Sequence, residues 1–392
     1  MTTTINNEHK KLNVPNVRFP EFQGEWEKCK LRDIANITGG YAFKSDTLNS
    51  IGGKYQVVKM GNLYQNQLDL HRSPSYTDIL TSKAENVILR KGDIAITLTG
   101  TNNKRDFGYT YIFNDEKNLL LNQRCGLIRT TGNPYFLSCL LKTYAFLNQF
   151  FESATGGTGN QANVSTKAME MFSVNIPSLK EQKKIGELMA LLDERIATQN
   201  KIIEDLKKLN AQIAERLFNG MNGNVVALSE VCNILKGKQI NGDCLSETGA
   251  YYVMNGGIEP SGYYDQCNTL ANTISISEGG NSCGYVQYNK EEFWSGGHCY
   301  TLTEIQSDVC NLYLYHYLKS KESSIMKLRI GTGLPNIQKK DLEKFNILLP
   351  SIDDQNRVST FLTTIERKIT NEELLHSRFK EQKQYLLRQM FI

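Results

Sequence analysis

Residues that could recognise another molecule gather in polar loops of this chain. The loop TGTNNKRDFGY, residues 99–109, combines two asparagines with a lysine and an arginine. Arg and Asn side chains form the paired hydrogen bonds that distinguish guanine from adenine, and Lys neutralises phosphate. Loops rich in Gly, Asn, Ser and Tyr also cover residues 236–242, 255–264, 278–285 and 295–300. These residue types predict contacts with a nucleic acid.

Twelve side chains in or near these loops are candidates for DNA contacts. Any single loop of this kind is more often a solvated turn than a DNA contact. The set gains weight because the loops lie in the divergent part of an internal repeat. The candidates in the first half are Lys44, Asn102, Asn103, Lys104, Arg105 and Arg124. Those in the second half are Lys236, Lys238, Gln239, Asn255, Asn281 and His298.

Residue patterns that enzymes use are missing from the sequence. The nine cysteines form no C-x-x-C pair, and the five histidines do not cluster, so no metal site is predicted. The loops ATGGTGN, residues 154–160, and GTGLPN, residues 331–336, lack the Gly-Lys-Ser/Thr ending of a P-loop. No Ser-His-Asp set or acidic pair repeats in both halves. We therefore predict no catalytic residue.

One motif supports an alternative function. The segment NPYF, residues 133–136, is similar to the N-P-P-Y/F motif with which adenine-specific DNA methyltransferases bind a flipped base, although it lacks the second proline. Asn as a helix N-cap followed by Pro in the first turn explains it more simply. No G-x-G-x-x-G follows a strand to support a cofactor-binding methyltransferase fold. A stand-alone methyltransferase and a structural coiled-coil adaptor stay open as alternatives.

Charge and hydropathy describe the broad class. The chain has 45 basic and 41 acidic residues, a net charge of +4, which is too small to identify a nucleic-acid binder by itself. Residues 219–349 are net acidic. The first fifteen residues carry no leader pattern, and no apolar run reaches the ~18 residues of a membrane span. We expect a cytoplasmic protein.

The elements that position the loops are written twice. Aligning residue n with residue n + 173 superposes IPSLKEQKKIGELMALLDERI, residues 176–196, on LPSIDDQNRVSTFLTTIERKI, residues 349–369, without a gap. Fainter repeats flank it, such as LRDIANITGG at residues 31–40 and LSEVCNILKG at residues 228–237. The order is therefore globular unit, helix, globular unit, helix.

Each copy of the strong repeat predicts a long helix. Ser178 with Glu181, and Ser351 with Asp354, have the spacing of a capping box, and no Pro or Gly interrupts the first run from residue 187 to Asn219. Heptad positions a and d, counted from Ile185 and Val358, are mostly apolar, which predicts that the helices pack on each other and offer a docking surface. These residues are Ile185, Leu188, Leu192, Ile202, Leu206, Leu209, Ile213, Val358, Phe361, Ile365, Leu375, Phe379 and Leu386.

The short link NGMNGN, residues 219–224, predicts the direction of packing. A helix of this length is roughly 58 Å long, so parallel packing would need a long return connection. Antiparallel packing avoids it and relates the two units by an approximate two-fold axis. Duplex DNA has such an axis, and proteins of matching symmetry read two half-sites.

The predicted fold is α+β, with two α/β recognition domains joined by two long antiparallel helices in an internal repeat. The domains are predicted at residues 1–176 and 219–349, and the helices at residues 177–218 and 350–392. Short β-rich segments such as GDIAITLTG, broken by Gly, Asn and Ser, support an α+β domain with long loops.

The whole chain resembles the specificity subunit of a Type I restriction-modification system. The resemblance rests on PNVRFPEFQGEWEKCKLRDI, residues 15–34, on the twin segments IPSLKEQKKI and LPSIDDQNRV, and on the unit order. It implies two target recognition domains, each reading half of a bipartite double-stranded DNA site. It further implies that two methyltransferase subunits, carrying S-adenosylmethionine, dock on the helices. A restriction subunit that uses ATP and Mg²⁺ joins them, and no cofactor is expected in this chain.

Overall fold

The computed structural model describes residues 13–101, 104–115, 118–156, 161–331, 333 and 335–392. The chain divides into two compact units. The first comprises residues 1–198 and 376–392, and the second comprises residues 199–375. Two long helices, the central helix Leu179–Gly220 and the C-terminal helix Ile352–Met390, each contribute residues to both units.

The first unit contains small sheets and short helices. Its four-stranded antiparallel sheet has the order Ala35–Gly39, Cys125–Thr130, Ile94–Thr97, Thr110–Ile112. A three-stranded sheet has the order Leu119–Leu121, Tyr55–Val58, Tyr76–Thr77, and another has the order Thr155–Gly156, Gln161–Asn163, Thr99–Thr101. Glu27–Lys30 pairs with Ser173–Ile176, and Leu63–Tyr64 with Gln67–Leu68. The short α-helices are Leu31–Ile34, Ser82–Glu85, Pro134–Leu140, Tyr144–Glu152 and Thr166–Glu170.

The second unit repeats this strand order. Its four-stranded sheet runs Asn233–Lys236, Cys299–Thr303, Thr273–Ser277, Val286–Asn289. Its three-stranded sheet runs Trp294–Ser295, Tyr251–Met254, Tyr263–Tyr264, and Asn224–Ala227 pairs with Asn346–Leu349. The short α-helices are Leu228–Val231, Asn311–Ser320, Glu322–Met326 and Lys339–Glu343. The shared order confirms the internal repeat.

Each unit has its own apolar core, and both cores include residues of the long helices. In the first unit, Trp26 and Phe136 pack with Met189 and Phe391. In the second unit, Tyr313 packs with Phe218 and Leu362 in a core that extends under the four-stranded sheet. Burying these apolar faces anchors the long helices to the small domains.

The long helices run antiparallel within each unit, as predicted. In the first unit, Lys383 forms an ion pair with Asp193, and the Arg195 guanidinium lies 5.5 Å from the centre of the Phe379 ring. From Asp193 to Arg195 on the central helix, the contacting residue on the C-terminal helix falls from Lys383 to Phe379. In the second unit, the side-chain amide of Gln199 donates to the Glu372 carboxylate. These two residues are equivalent in the 173-residue repeat. Two equivalent helices that pack antiparallel about a two-fold axis bring such equivalent residues together near that axis.

At four of its thirteen residues, all of them d positions, the predicted helix seam lies one residue too early. Ile185, Leu192, Leu206, Ile213, Val358, Ile365, Phe379 and Leu386 are buried or half-buried, and Leu188 is half-buried against the first core. By contrast, four predicted seam residues are exposed, namely Ile202, Leu209, Phe361 and Leu375. The buried positions come one residue later, as in Ile203, Leu362 and Ile369. Burying the d positions would also bury Arg195 and Arg216. Burying the position after each d residue leaves these two arginines exposed, which explains the shift.

A buried glutamine ties the start of each long helix to the adjacent small domain. In the first unit, Gln182 Oε1 accepts from the backbone N–H of Asn133 at 3.2 Å, and its Nε2 donates to the Pro177 carbonyl at 3.0 Å. In the second unit, Gln355 makes the same two contacts, with the Cys310 N–H at 2.8 Å and the Pro350 carbonyl at 3.0 Å. Each glutamine thereby satisfies an amide at the start of a domain helix.

The predicted capping boxes form only in part. Ser178 Oγ accepts from the Glu181 N–H, and Ser351 Oγ accepts from the Asp354 N–H. The reciprocal contacts are replaced, because the Glu181 carboxylate binds Arg18 and the Asp354 carboxylate accepts from the Ser351 hydroxyl. Arg18 supplies a charged partner, which is stronger than a backbone amide.

Replacing Gln355 with Met should destabilise the second unit. The change keeps the length of the side chain but removes the buried partner of the Cys310 N–H and of the Pro350 and Asp308 carbonyls. We expect a loss of about 1–3 kcal/mol per unpaired group, measured by urea unfolding followed by circular dichroism. The same change at the exposed Gln384 of the C-terminal helix is the control. Equal stability of the two variants would contradict this role.

Candidate nucleic-acid interface

In the second unit, strand ends bring together three polar residues. Two of them were predicted from the sequence and the third was not. Lys236 ends the first strand of the four-stranded sheet, His298 directly precedes the neighbouring strand, and Glu278 directly follows the strand ending at Ser277. The register pairs Lys236 with Tyr300 and Ser277 with Cys299. These side chains therefore lie at one edge of the sheet.

Glu278 organises this edge. Its carboxylate accepts from Lys236 Nζ at 2.5 Å and from the Tyr300 hydroxyl at 3.2 Å, and lies 3.3 Å from His298 Nδ1. Only 10% of the Glu278 side chain is exposed, against 50% for Lys236 and 61% for His298. Burial, together with the Glu278 carboxylate, raises the pKa of Tyr300, which therefore stays a neutral donor. A buried acid thus holds two exposed nitrogen-bearing side chains.

Two more predicted residues, Asn255 and Gln239, lie beside His298 and Gly297. Asn255 Oδ1 accepts from the His298 N–H at 3.2 Å. The Gln239 side chain lies directly over Gly297, where a Cβ would come too close to its amide oxygen and displace it. Lys236 and His298, held by Glu278, together with the neighbouring Gln239 and Asn255, make up what we call the Glu278 cluster. Its surface offers two amides, an ammonium group and an imidazole, the kinds of groups that read base edges and phosphates.

Two further predicted residues of the second unit flank the cluster. The backbone of Lys238 donates to the Ser295 carbonyl and accepts from the Trp294 indole at 2.9 Å, leaving its side chain exposed. Asn281 is exposed on the loop that follows Glu278.

In the first unit, the predicted residues lie on two loop systems. Lys44 and Arg124 are exposed, and their loops meet where the Tyr41 N–H donates to the Leu121 carbonyl and the Gln123 N–H donates back to Tyr41. Lys104 is exposed on the loop after the strand Thr99–Thr101. Asn102 and Asn103 lie outside the described residues.

The loop carrying Lys104 and Arg105 is fixed at its base. The Asp106 carboxylate accepts from the Thr101 N–H at 2.6 Å and from the Thr101 hydroxyl at 3.2 Å. Arg105 has a left-handed backbone, and its guanidinium stacks 5.1 Å from the centre of the Phe151 ring. This cation–π contact holds the Arg105 side chain against the domain.

The two units place different chemistry at matching positions. Arg124 and His298 both directly precede the second strand of their four-stranded sheet. Leu98 in the first unit takes the position of Glu278 in the second. Glu278 and Tyr300 were missed in the sequence, although an acid directly after the strand TISIS, at the start of a glycine loop, was a usable signal.

The methyltransferase-like motif is a helix start. Asn133 is the N-cap of the helix Pro134–Leu140, and its side chain accepts from the Phe136 N–H at 2.9 Å. The simpler explanation of NPYF is therefore confirmed. Within the described ranges, no group of three or more His, Cys, Asp or Glu side chains could hold a metal. Among these residues, no helix is long and apolar enough to cross a membrane.

The protein therefore contains two α+β units of the same strand order and two long antiparallel helices. The loops of the two units carry different polar side chains. Comparison with known proteins identifies the family. The family described as Type I restriction modification DNA specificity domain matches residues 23–208 and 222–377. The chain belongs to this family.

Named relatives agree with this assignment. A Mycoplasma pneumoniae protein named as a type I specificity subunit is 34% identical over 173 residues, 43% of this chain and 46% of that protein. A Mycoplasma genitalium protein of similar name is 30% identical over 40% of this chain and 41% of its own length. The matches thus span less than half of these two relatives. The MjaX specificity subunit of Methanocaldococcus jannaschii is 22% identical over 96% of this chain and 93% of its own length.

Solved structures share the fold. The S subunit of a Type I restriction-modification system from M. genitalium matches with a TM-score of 0.67 at 18% identity, covering 97% of this chain and 99% of that one. A chain from a structure of a type I R-M system complex matches with a TM-score of 0.54 at 18% identity, covering 92% and 96%. The predicted α+β fold with its long paired helices is confirmed.

Replacing Glu278 with Gln should loosen DNA discrimination by the second unit. Lys236 and His298 would lose the buried carboxylate that fixes them. The substitution also removes one negative charge, so the net charge of the surface becomes more positive by one. We expect the preference for specific over random DNA to fall about 10-fold or more, because each base contact contributes about 1–3 kcal/mol. The salt dependence of binding should steepen.

Glu259→Gln, which makes the same charge change on an exposed loop, is the matched control. DNA binding by the full chain, measured by fluorescence anisotropy, separates the two variants. If both variants change discrimination equally, net charge rather than the Glu278 cluster is responsible.

Proposed function

We propose that this chain is the DNA sequence-recognition subunit of a Type I restriction-modification complex. Each recognition domain reads one half of a bipartite site in double-stranded DNA. The observation that carries this proposal is the duplicated domain with different polar side chains at matching strand ends, Arg124 in the first unit and the Glu278 cluster in the second. A repeated framework with unlike readers suits an asymmetric two-part target.

We further propose that the chain directs adenine methylation and DNA cleavage without catalysing either. Methyltransferase subunits, two of them in keeping with the internal repeat, would bind the long helices and carry S-adenosylmethionine. A restriction subunit that uses ATP and Mg²⁺ would join them, and the complex would work in the cytoplasm. Exposed apolar side chains on the helices support docking there, since Ile202 and Leu375 are repeat-equivalent and are 41% and 39% exposed.

The acidic balance of the second domain is compatible with this assignment. Phosphate contacts supply much of the affinity for DNA, and in a complex they can come from partner subunits. Weak DNA binding by the isolated chain is therefore expected. Base discrimination would rest on few side chains, such as those of the Glu278 cluster.

Exchanging the second recognition domain should change one half of the DNA target. We expect that replacing residues 225–345 with the equivalent domain of a relative leaves the first half of the methylated site unchanged and alters the second. Sequencing of methylated adenines in cells that carry the complete system measures this. An unaltered methylation pattern would support a purely structural adaptor instead.

The purified chain alone should not methylate DNA. Incubation with S-adenosylmethionine and DNA should give methylation only after the methyltransferase subunits are added, because the described NPYF segment caps a helix. Transfer of a labelled methyl group is the readout. Appreciable methylation by the chain alone would favour the stand-alone methyltransferase.

A further inference from the structure

An N-terminal segment covers the start of the central helix in the first unit. Residues 17–22, VRFPEF, lie against the first turns of that helix and the end of the C-terminal helix, where the Val17 N–H donates to the Gln389 carbonyl at 3.0 Å. Val17 and Phe19 pack against the core that contains Ile185 and Met390. We call this segment the N-terminal strap.

Charge pairs fix the strap in place. Arg18 binds Glu181 through two contacts of 2.8 Å, and Glu21 forms an ion pair with Lys184. Lys184 Nζ also lies 4.7 Å from the centre of the Phe19 ring. With the Trp26 indole also donating to its carboxylate, the Glu181 side chain is only 1% exposed. In the strap, Arg18 therefore pairs with the acidic Glu181, and Glu21 pairs with the basic Lys184 about one helical turn further along the central helix.

The second unit has the same surface at the start of the C-terminal helix. By the 173-residue repeat, Asp354 is equivalent to Glu181, Arg357 to Lys184, and Phe361 to Leu188. The signs of the charges are kept, and the aromatic Phe361 enlarges the apolar part. Together with Leu217 and Met221, these residues line a cleft of about 480 Å³, which we call the Asp354 groove.

The side chains of this groove are far more open than their equivalents. The Asp354 side chain is 38% exposed and that of Arg357 79%, compared with 1% for Glu181 and 46% for Lys184. Phe361 is 50% exposed. Asp354 and Arg357 pair with each other along the helix, an exposed contact that contributes little and is easily exchanged.

We propose that the Asp354 groove binds an extended segment of a separate partner protein whose chemistry copies the strap: an apolar residue, arginine, an aromatic residue and, three positions after the arginine, glutamate. Arginine would bind Asp354, glutamate would bind Arg357, and the aromatic side chain would pack on Phe361. This site does not depend on DNA recognition, so the proposed function and the groove can fail separately.

A second copy of this chain is a less suitable occupant. Its own strap is held within the molecule by Arg18 and by the Trp26 core, and an intramolecular site has the higher effective concentration. The segment that follows the central helix in the second unit, residues 221–223, is too short to serve as a strap. We therefore assign the occupant to a different chain.

A labelled synthetic peptide with the sequence of residues 13–26, added to the full chain, tests the groove by fluorescence anisotropy. We expect saturable binding that Asp354→Lys weakens about 10-fold or more, because one charge pair is reversed. A peptide with Arg18→Glu should restore binding to that variant. Asp353→Lys, the same charge change on the adjacent exposed residue, should alter binding less than about twofold.

Three results would overturn the proposal. One is no saturable binding up to about 1 mM peptide, the weak limit of specific association. Another is equal weakening by Asp353→Lys and Asp354→Lys, which would indicate general attraction. The third is a concentration-dependent dimer in sedimentation experiments that Asp354→Lys abolishes, which would assign the groove to a second copy. Circular dichroism of each variant establishes that the chain is folded.

Discussion

Gln182 and Gln355 connect each long helix to its neighbouring domain through a single buried side chain. Each glutamine accepts from the first N–H groups of a domain helix and donates to the proline carbonyl that precedes its own helix. Both ends of the amide are used, so the angle between helix and domain is fixed within each unit. An amide with one unpaired end in this position would cost stability, because water cannot reach it.

This constraint explains why the segments IPSLKEQ and LPSIDDQ are so alike while the domains differ. Proline holds the chain extended, serine caps the helix, and glutamine reaches the domain. The helices can then pack antiparallel in the same way in both units. The Gln199–Glu372 contact joins two residues that are equivalent in the repeat, which an antiparallel pair permits only near its centre.

The domains are free to diverge at their strand ends, because those positions do not hold the framework together. Arg124 and His298 occupy the same place in the strand order, and Leu98 occupies in the first unit the position that Glu278 takes in the second. A buried carboxylate is tolerated there because Lys236 and Tyr300 pair with it. Such a difference changes the edge of the core, where Leu98 and Tyr300 are buried, together with the exposed side chains beside it.

The symmetry also breaks where the N-terminal strap lies. Arg18 buries Glu181 in the first unit, while Asp354 turns to Arg357 in the second. The same helix start therefore shows one covered and one open surface. Local charge pairs adjust to this difference without any change in the helix itself.

The sequence by itself determined the repeat, the long helices, the α+β domains and the absence of an enzyme-like residue pattern, because these depend on local spacing and composition. It also predicted the antiparallel direction, since the link between helix and second domain is short. Four d positions of the helix seam were wrong, because neighbours such as Ile202 and Ile203 are both apolar and only packing decides which is buried. The Glu278–His298 pair, the contacts of the two glutamines with the domain helices and the Arg18–Glu181 pair join residues 20 to 163 positions apart. Only the tertiary structure could bring them together, since contacts over such separations follow from the packing of whole elements.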